Sequence, residues 1–418
     1  MPQTSLSERP SSIGLIKLTT FLMFMMFAMT TDAVGVIIPQ IIKTFGLDLT
    51  AAGAFHYATM SGIALGGLCL GFLADRIGRK ATIILGLVGF ATAALGFAIA
   101  ERFAVFVTLL FVSGVAIGVF KTGALALIGD ISASTRAHTA NMNMVEGFFG
   151  VGAIIGPAIV AALLAAGASW KWLYVIAGGL CAALIIAALM VRHPQTPRAA
   201  QESLDPRATL AMFTNPYALA FGFAIMLYAG VETAIYVWMP TLLAGYQGPA
   251  RLLAVYALSI FFVLRAIGRF LGAWMLSRLA WALVVALCSA AIFLCFGATL
   301  AGGRDVAVYT LPLSGLFMSV LYPTINSKGI SCFPKAEHGS ASGVILFFTC
   351  ISAVASPWAM GVVSDRFGDA AYGFRLATGL AALLAILGGC NLIFDPTRRR
   401  LKARQDADYV TGHRSEED

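Results

Sequence analysis

Charge is what this sequence has little of. Only 11% of its 418 residues are Asp, Glu, Lys or Arg, against about 25% in an average soluble domain, which excludes an ordinary soluble globular protein. Apolar residues do not alternate with period two over any stretch, which excludes a membrane β-barrel. The seven Cys form no CxxC pair. Six of them sit inside apolar runs as small hydrophobes, so neither a disulfide framework nor a thiolate metal site is expected. HExxH, the Walker loop, GxGxxG and GxSxG are all missing, and enzymatic chemistry therefore has no motif behind it. No metal and no cofactor is expected.

What remains is hydrophobicity in long blocks. The chain is 59% hydrophobic, with a mean hydropathy of +0.86. Twelve runs approach the ~20 residues needed to cross a bilayer as a helix. They cover 18–42, 51–74, 81–100, 103–128, 141–166, 172–191, 217–243, 252–276, 280–300, 306–327, 341–364 and 377–394. An all-α membrane protein of twelve transmembrane helices is therefore predicted. Residues 193–214 form the longest polar connection. They separate an N-terminal six-helix bundle (1–192) from a C-terminal one (215–396), and a basic tail follows at 397–418. The N-terminal run contains Asp32 and ends in "IIPQIIK", without a small-residue cleavage site, so a cleavable signal peptide is not expected. With both termini in the cytoplasm, most of the 28 Lys and Arg fall in cytoplasmic segments, including "DRIGRK" and "TRRRLKAR", as the positive-inside rule requires. The net charge of +8 therefore reports topology, and no nucleic-acid partner is expected.

The charges within the predicted spans that stand out are Asp32, Lys121, Glu146, Glu232 and Arg265. Lys121 stands in "GVFKTGALALIGD". Counting 1.5 Å per residue from the cytoplasmic helix ends puts Lys121 and Glu146 at depths of roughly 13 and 10 Å. A lone ammonium in the membrane costs at least about 2.5 kcal/mol, so Lys121 and Glu146 are predicted partners, with Asp32 as the competing acid. Asn143, Glu146 and Gly150 share one helical face. Tyr228, Glu232 and Tyr236 share another, where aromatic faces and hydroxyls beside a carboxylate suit a sugar. Arg265 is placed near the midplane, either paired with Glu232 or free to bind an acidic substrate. Asn326 follows "LYPT", where Pro323 releases carbonyls. Glu146 and Glu232 each have an expected cation, and a nearby positive charge favours the ionised carboxylate. Asp32 is fifteen residues from Lys17 and eleven from Lys43, which makes it the first candidate to carry a proton and Glu146 the second.

"GFLADRIGRK" lies between the second and third runs. It matches the G-x-x-x-D-[RK]-x-G-[RK]-[RK] loop of the major facilitator superfamily, with Gly71, Asp75, Arg76, Gly78, Arg79 and Lys80 at the motif positions. The resemblance implies two pseudo-symmetric six-helix bundles that rock about a midplane site, with these six residues in conformational gating rather than recognition. A weak repeat, "GVVSDRFGD", keeps a Gly361-x-x-x-Asp365-Arg366-x-Gly368 core. "LYAGVETAIYVWMP", "RFLGAWMLSR" and "FMSVLYPTI" resemble the fucose–proton symporter group. In that group a glutamate stands where "GVFKT" has Lys121, and a glutamine where "NMVEGFFG" has Glu146. The group's first-helix aspartate aligns with Gly35, one turn beyond Asp32.

The resemblance implies a multi-pass protein of the bacterial inner membrane, importing a small polar solute with a proton, or with sodium as in some members. The sequence carries no strong sign of obligate oligomerisation, and a monomer is expected. A sugar or sugar acid is the expected solute, bound by Lys121, Asn143, Tyr228, Glu232, Tyr236, Arg265 and Asn326. "GFFGVGAIIGP" has the small-xxx-small spacing of tight helix packing and partly resembles the fifth-helix motif of drug–proton antiporters. That makes proton-coupled efflux the alternative. A non-transporting nutrient sensor on the same scaffold is the alternative of another class.

Overall fold

The computed structural model describes residues 10–70, 73–132, 135–191, 212–333 and 338–401. Its helices run in chain order: α1 Pro10–Thr31, α2 Val34–Phe45, α3 Leu49–Ala52, α4 Ala54–Leu70, α5 Leu73–Arg76, α6 Arg79–Gly96, α7 Phe103–Asp130, α8 Thr135–Ala165 and α9 Trp172–Met190. After the central connection come α10 Pro216–Thr233, a π-helical turn at Ala234–Trp238, α11 Met239–Leu242, α12 Arg251–Val255 and α13 Ala257–Arg278. The last three are α14 Trp281–Ser331, α15 His338–Phe367 and α16 Ala370–Phe394. No strand occurs among the described residues.

Among the described residues, ten helices are long and apolar enough to cross a membrane. The longest, α14, has 51 residues and covers the ninth and tenth predicted spans. It is broken at Gly303, whose φ of 63° and ψ of −154° are not helical. That positive φ is open to glycine at little steric cost, which is why the chain turns there. Several hydroxyls inside the spans are satisfied by carbonyls of their own helix, as hydrocarbon favours. Thr19 donates to the Leu15 carbonyl at 2.9 Å, Thr20 to Ile16 at 2.8 Å and Ser113 to Leu110 at 2.8 Å. At the start of α10, Asn215 caps the helix by accepting from the Tyr217 N–H, with Pro216 in the first helical turn.

The chain divides into two compact units. In the first, residues 10–47 and 54–191, α7 packs against α4 and α6, and α1 against α8 and α9. Its core is aromatic: Phe27 lies 4.8 Å from Phe90 and 4.6 Å from Phe120, centroid to centroid. Phe97, Phe106, Trp170 and Tyr174 form a second cluster, with Phe97 stacked 3.9 Å from Tyr174. The expected small-residue contact is present. A Cβ on Gly152 or Gly156 of α8 would run into the carbonyl oxygens of Met25 and Met29 on α1. Gly156→Ala is therefore expected to cost about 1–3 kcal/mol, read as a lower thermal midpoint in detergent. Gly147→Ala, where nothing lies within 4 Å, is the control that should change little.

The second unit takes residues 212–401 together with 48–53. Here α13 packs on α14, α14 on α16, and α10 on α15, around buried Phe261, Phe296 and Phe374. Each unit carries large apolar side chains on its outside: Ile99 and Met190 on the first, Phe270 and Phe394 on the second. Such surfaces are stable in lipid and not in water.

Candidate functional site

The predicted polar residues are divided between the two units. In the first, Asp32 stands at the break between α1 and α2. It is half-buried, and the Thr31 hydroxyl donates to its Oδ2 at 2.9 Å. The Asp32 N–H closes the last turn of α1 on the Ala28 carbonyl at 3.1 Å. Lys121, half-buried on α7, holds its Nζ 5.3 Å from the ring centroid of Phe149 on α8, a cation–π distance. Phe149 lies three residues beyond Glu146, hence on the same side of α8. The structure thus sets Lys121 against the helix that carries Glu146. Glu146 itself is exposed rather than buried. Gly150 on that face has open space beside it. The side chain of Asn143 lies outside the described residues.

In the second unit, Arg265 Nη2 of α13 is 2.6 Å from Glu232 Oε1 of α10. Of the two readings of Arg265 from sequence, the ion pair is the one that forms. The pair is partly sheltered, with 24% and 13% of the side chains exposed. Tyr228, one turn before Glu232 and fully buried, brings its hydroxyl to 2.9 Å from Glu232 Oε1 and 3.1 Å from the Met318 carbonyl of α14. Its ring lies 6.0 Å from that of Tyr322. Directly after Thr233 the helix widens into the π turn Ala234–Trp238. Tyr236 falls inside that turn, so counting 3.6 residues per turn from Tyr228 does not carry through to it; π turns are frequent at functional sites. Trp238 Nε1 donates to the Pro357 carbonyl of α15 at 3.0 Å and anchors the turn. Asn326 is half-buried on α14.

The motif loop contributes structure within the first unit. Gly71 and the side chain of Asp75 lie outside the described residues, and Arg76 is exposed at the end of α5. Gly78 turns the chain with φ of 90°. Arg79 Nε meets Asp130 Oδ2 at 3.1 Å. Lys80 Nζ donates to the Leu189 and Val191 carbonyls at 3.1 and 2.8 Å, where a cation favours the C-terminal dipole of α9. The repeat motif has a matching role in the second unit. The Asp365 carboxylate accepts from the Leu49 and Thr50 N–H groups at 2.7 and 2.8 Å and from the Thr50 hydroxyl, and so holds α3. Thr31, Phe149, Asp130 and the Met318 carbonyl were not identified from sequence. Only Asp130, which closes the "GVFKTGALALIGD" stretch, carried a signal.

The geometry can be set beside known proteins. A family model described as Major Facilitator Superfamily matches residues 20–357. The L-fucose-proton symporter of Escherichia coli (strain K12) is 24% identical over 388 residues, 83% of this chain and 86% of that protein. The 3-(3-hydroxy-phenyl)propionate transporter of the same organism is 29% identical over 252 residues; the match covers 59% of this chain and spans only 60% of that relative. Among solved structures, a nucleoside transporter superposes with a TM-score of 0.73 at 17% identity, covering 90% of this chain and 98% of its own.

Proposed function

This chain belongs to the Major Facilitator Superfamily of membrane transporters, and from that premise we propose that it imports a small hydroxylated solute, a sugar or sugar acid, together with a proton by alternating access. The observation that carries this reading is the Tyr228–Glu232–Arg265 arrangement. It presents an aromatic hydroxyl, a carboxylate and a guanidinium inside one unit. Hydroxyl-rich solutes both donate and accept hydrogen bonds, and this set supplies both kinds of partner. Support for the proton is a titratable carboxylate, Asp32, standing at the break between α1 and α2. The likeness to the L-fucose-proton symporter over most of the chain points the same way.

A second reading has its own support. The 29% identical relative is named for a hydroxylated aromatic acid, and Arg265 would suit a carboxylate. Electrical signature separates neutral from acidic solutes, and the identity of the accumulated solute separates the two readings. A neutral sugar carried with one proton moves positive charge inward, whereas a sugar acid or aromatic acid with one proton moves none. The experiment is uptake by proteoliposomes under an imposed pH gradient, with membrane current recorded, across a panel of monosaccharides, sugar acids and hydroxylated aromatic acids. Accumulation of a sugar or sugar acid that collapses with the pH gradient is the expected result. Accumulation of aromatic acids alone, or efflux that consumes the gradient, would replace this reading.

A further inference from the structure

The structure assigns a phospholipid site that the transport reading leaves unused. In the second unit a cavity of about 470 Å³ opens among α10, α14 and α16, lined by Tyr217, Trp281, Leu387, Cys390, Asn391 and Thr397. That size is in the range of ligand pockets, about 300–1,000 Å³. The walls are nearly all apolar except at one end, where α16 finishes and the basic tail begins. Two observations there point to an occupant with a polar head.

The first is unmet hydrogen bonding. Thr397 is 4% exposed. Its Oγ1 and the Nδ2 of Asn391 are shut off from water and have no hydrogen-bond partner among the described residues. Native structures rarely leave such groups unpaired without a reason.

The second is charge. Arg398, Arg399 and Arg400 follow at once and are exposed. The Arg400 guanidinium sits 4.1 Å from the ring centroid of Tyr217, itself part of the cavity wall. Lys328, near the C-terminal end of α14, joins Arg400 within electrostatic reach of Cys332. Asp395 is the one acid among the described residues at this end, left-handed at φ of 39° and with Oδ1 also unpartnered. The cations outnumber it. A basic rim over an apolar cleft between helices is the pattern that takes an anionic lipid headgroup. A soluble phosphate would leave the apolar walls empty, whereas an acyl chain fills them. The occupant is therefore an anionic phospholipid, its chain along α16 and its phosphate at Arg398–Arg400.

The test uses the full chain purified in neutral detergent and incubated with phosphatidylglycerol, phosphatidylcholine or glycerol phosphate. Retained lipid is counted by native mass spectrometry, and the thermal midpoint is followed in parallel. Two variants probe the two ends: Cys390→Trp, which fills the cavity from an exposed position, and the exposed triple R398Q/R399Q/R400Q. Wild type is expected to retain phosphatidylglycerol and be stabilised by it, with retention at least about tenfold lower in each variant. Equal retention of phosphatidylcholine, undiminished retention in both variants, or stabilisation by glycerol phosphate alone would each overturn the site. None of these readouts involves transport, so they stand apart from the proposed solute.

Discussion

Asp32→Asn is expected to abolish uphill accumulation of solute while leaving exchange of labelled for unlabelled solute intact. A coupled proton must bind to and leave a titratable group during each cycle, and an amide in place of the Asp32 carboxylate cannot do so. The neighbourhood of Asp32 fits the task. It sits where α1 gives way to α2, a place where backbone geometry can change without unwinding a helix. The Thr31 hydroxyl 2.9 Å from its Oδ2 can donate to the carboxylate or turn to accept from the protonated acid, so both protonation states are served. At Glu232 the charge is matched by Arg265 at 2.6 Å, and protonation there would break an ion pair. The check is quantitative. A one-unit pH gradient stores about 1.4 kcal/mol, or about a tenfold concentration ratio at one proton per solute. In proteoliposomes carrying the Asp32→Asn variant that ratio should fall to about one, with exchange rates within a few-fold of wild type. Retained accumulation would remove Asp32 from the role and move the test to Glu146.

The second large effect concerns the ion pair of the second unit. Arg265→Met leaves Glu232 partly buried with its guanidinium removed, and losses of about 3–5 kcal/mol follow when one partner of a sheltered pair goes. The 24% exposure of Arg265 places the expectation at the lower end. Glu232→Gln strands Arg265 in the same way. The double variant E232Q/R265M removes both charges and should recover most of the lost thermal stability, because no unmatched charge remains. Uptake should stay lost in all three, since the polar groups offered to the solute are gone. Additive destabilisation in the double variant would show that the pair contributes nothing as a pair. Recovery of uptake would take Glu232 and Arg265 out of the binding site.

Much of this was legible in the chain because membrane insertion writes itself into composition. Apolar runs had to become helices, since hydrocarbon supplies no partner for an open backbone. The loop motif announced the family, and the Gly152 and Gly156 spacing announced a close contact that the α1 carbonyls at Met25 and Met29 complete. Periodicity also put Tyr228 and Glu232 on one face, and their hydrogen bond bears that out. The same counting could not place Tyr236, because a π turn adds to the helix without any local residue preference marking it. Asp365 was read only as a fragment of a repeated motif. Its partners at Leu49 and Thr50 lie more than 300 residues away in the chain.

The sequence by itself determined that the chain is a helical membrane transporter with a handful of charges set among apolar spans. Those properties follow from residue type and short-range spacing, and the bilayer enforces them segment by segment. Tertiary structure alone decided which charges meet. Arg265 found Glu232 rather than standing free, Lys121 stacked on Phe149, and Arg79 closed on Asp130. Coulombic and cation–π contacts act over a few ångströms between helices distant in the chain. Their partners are therefore fixed by how the helices pack and rotate against one another, a property no local pattern of residues encodes.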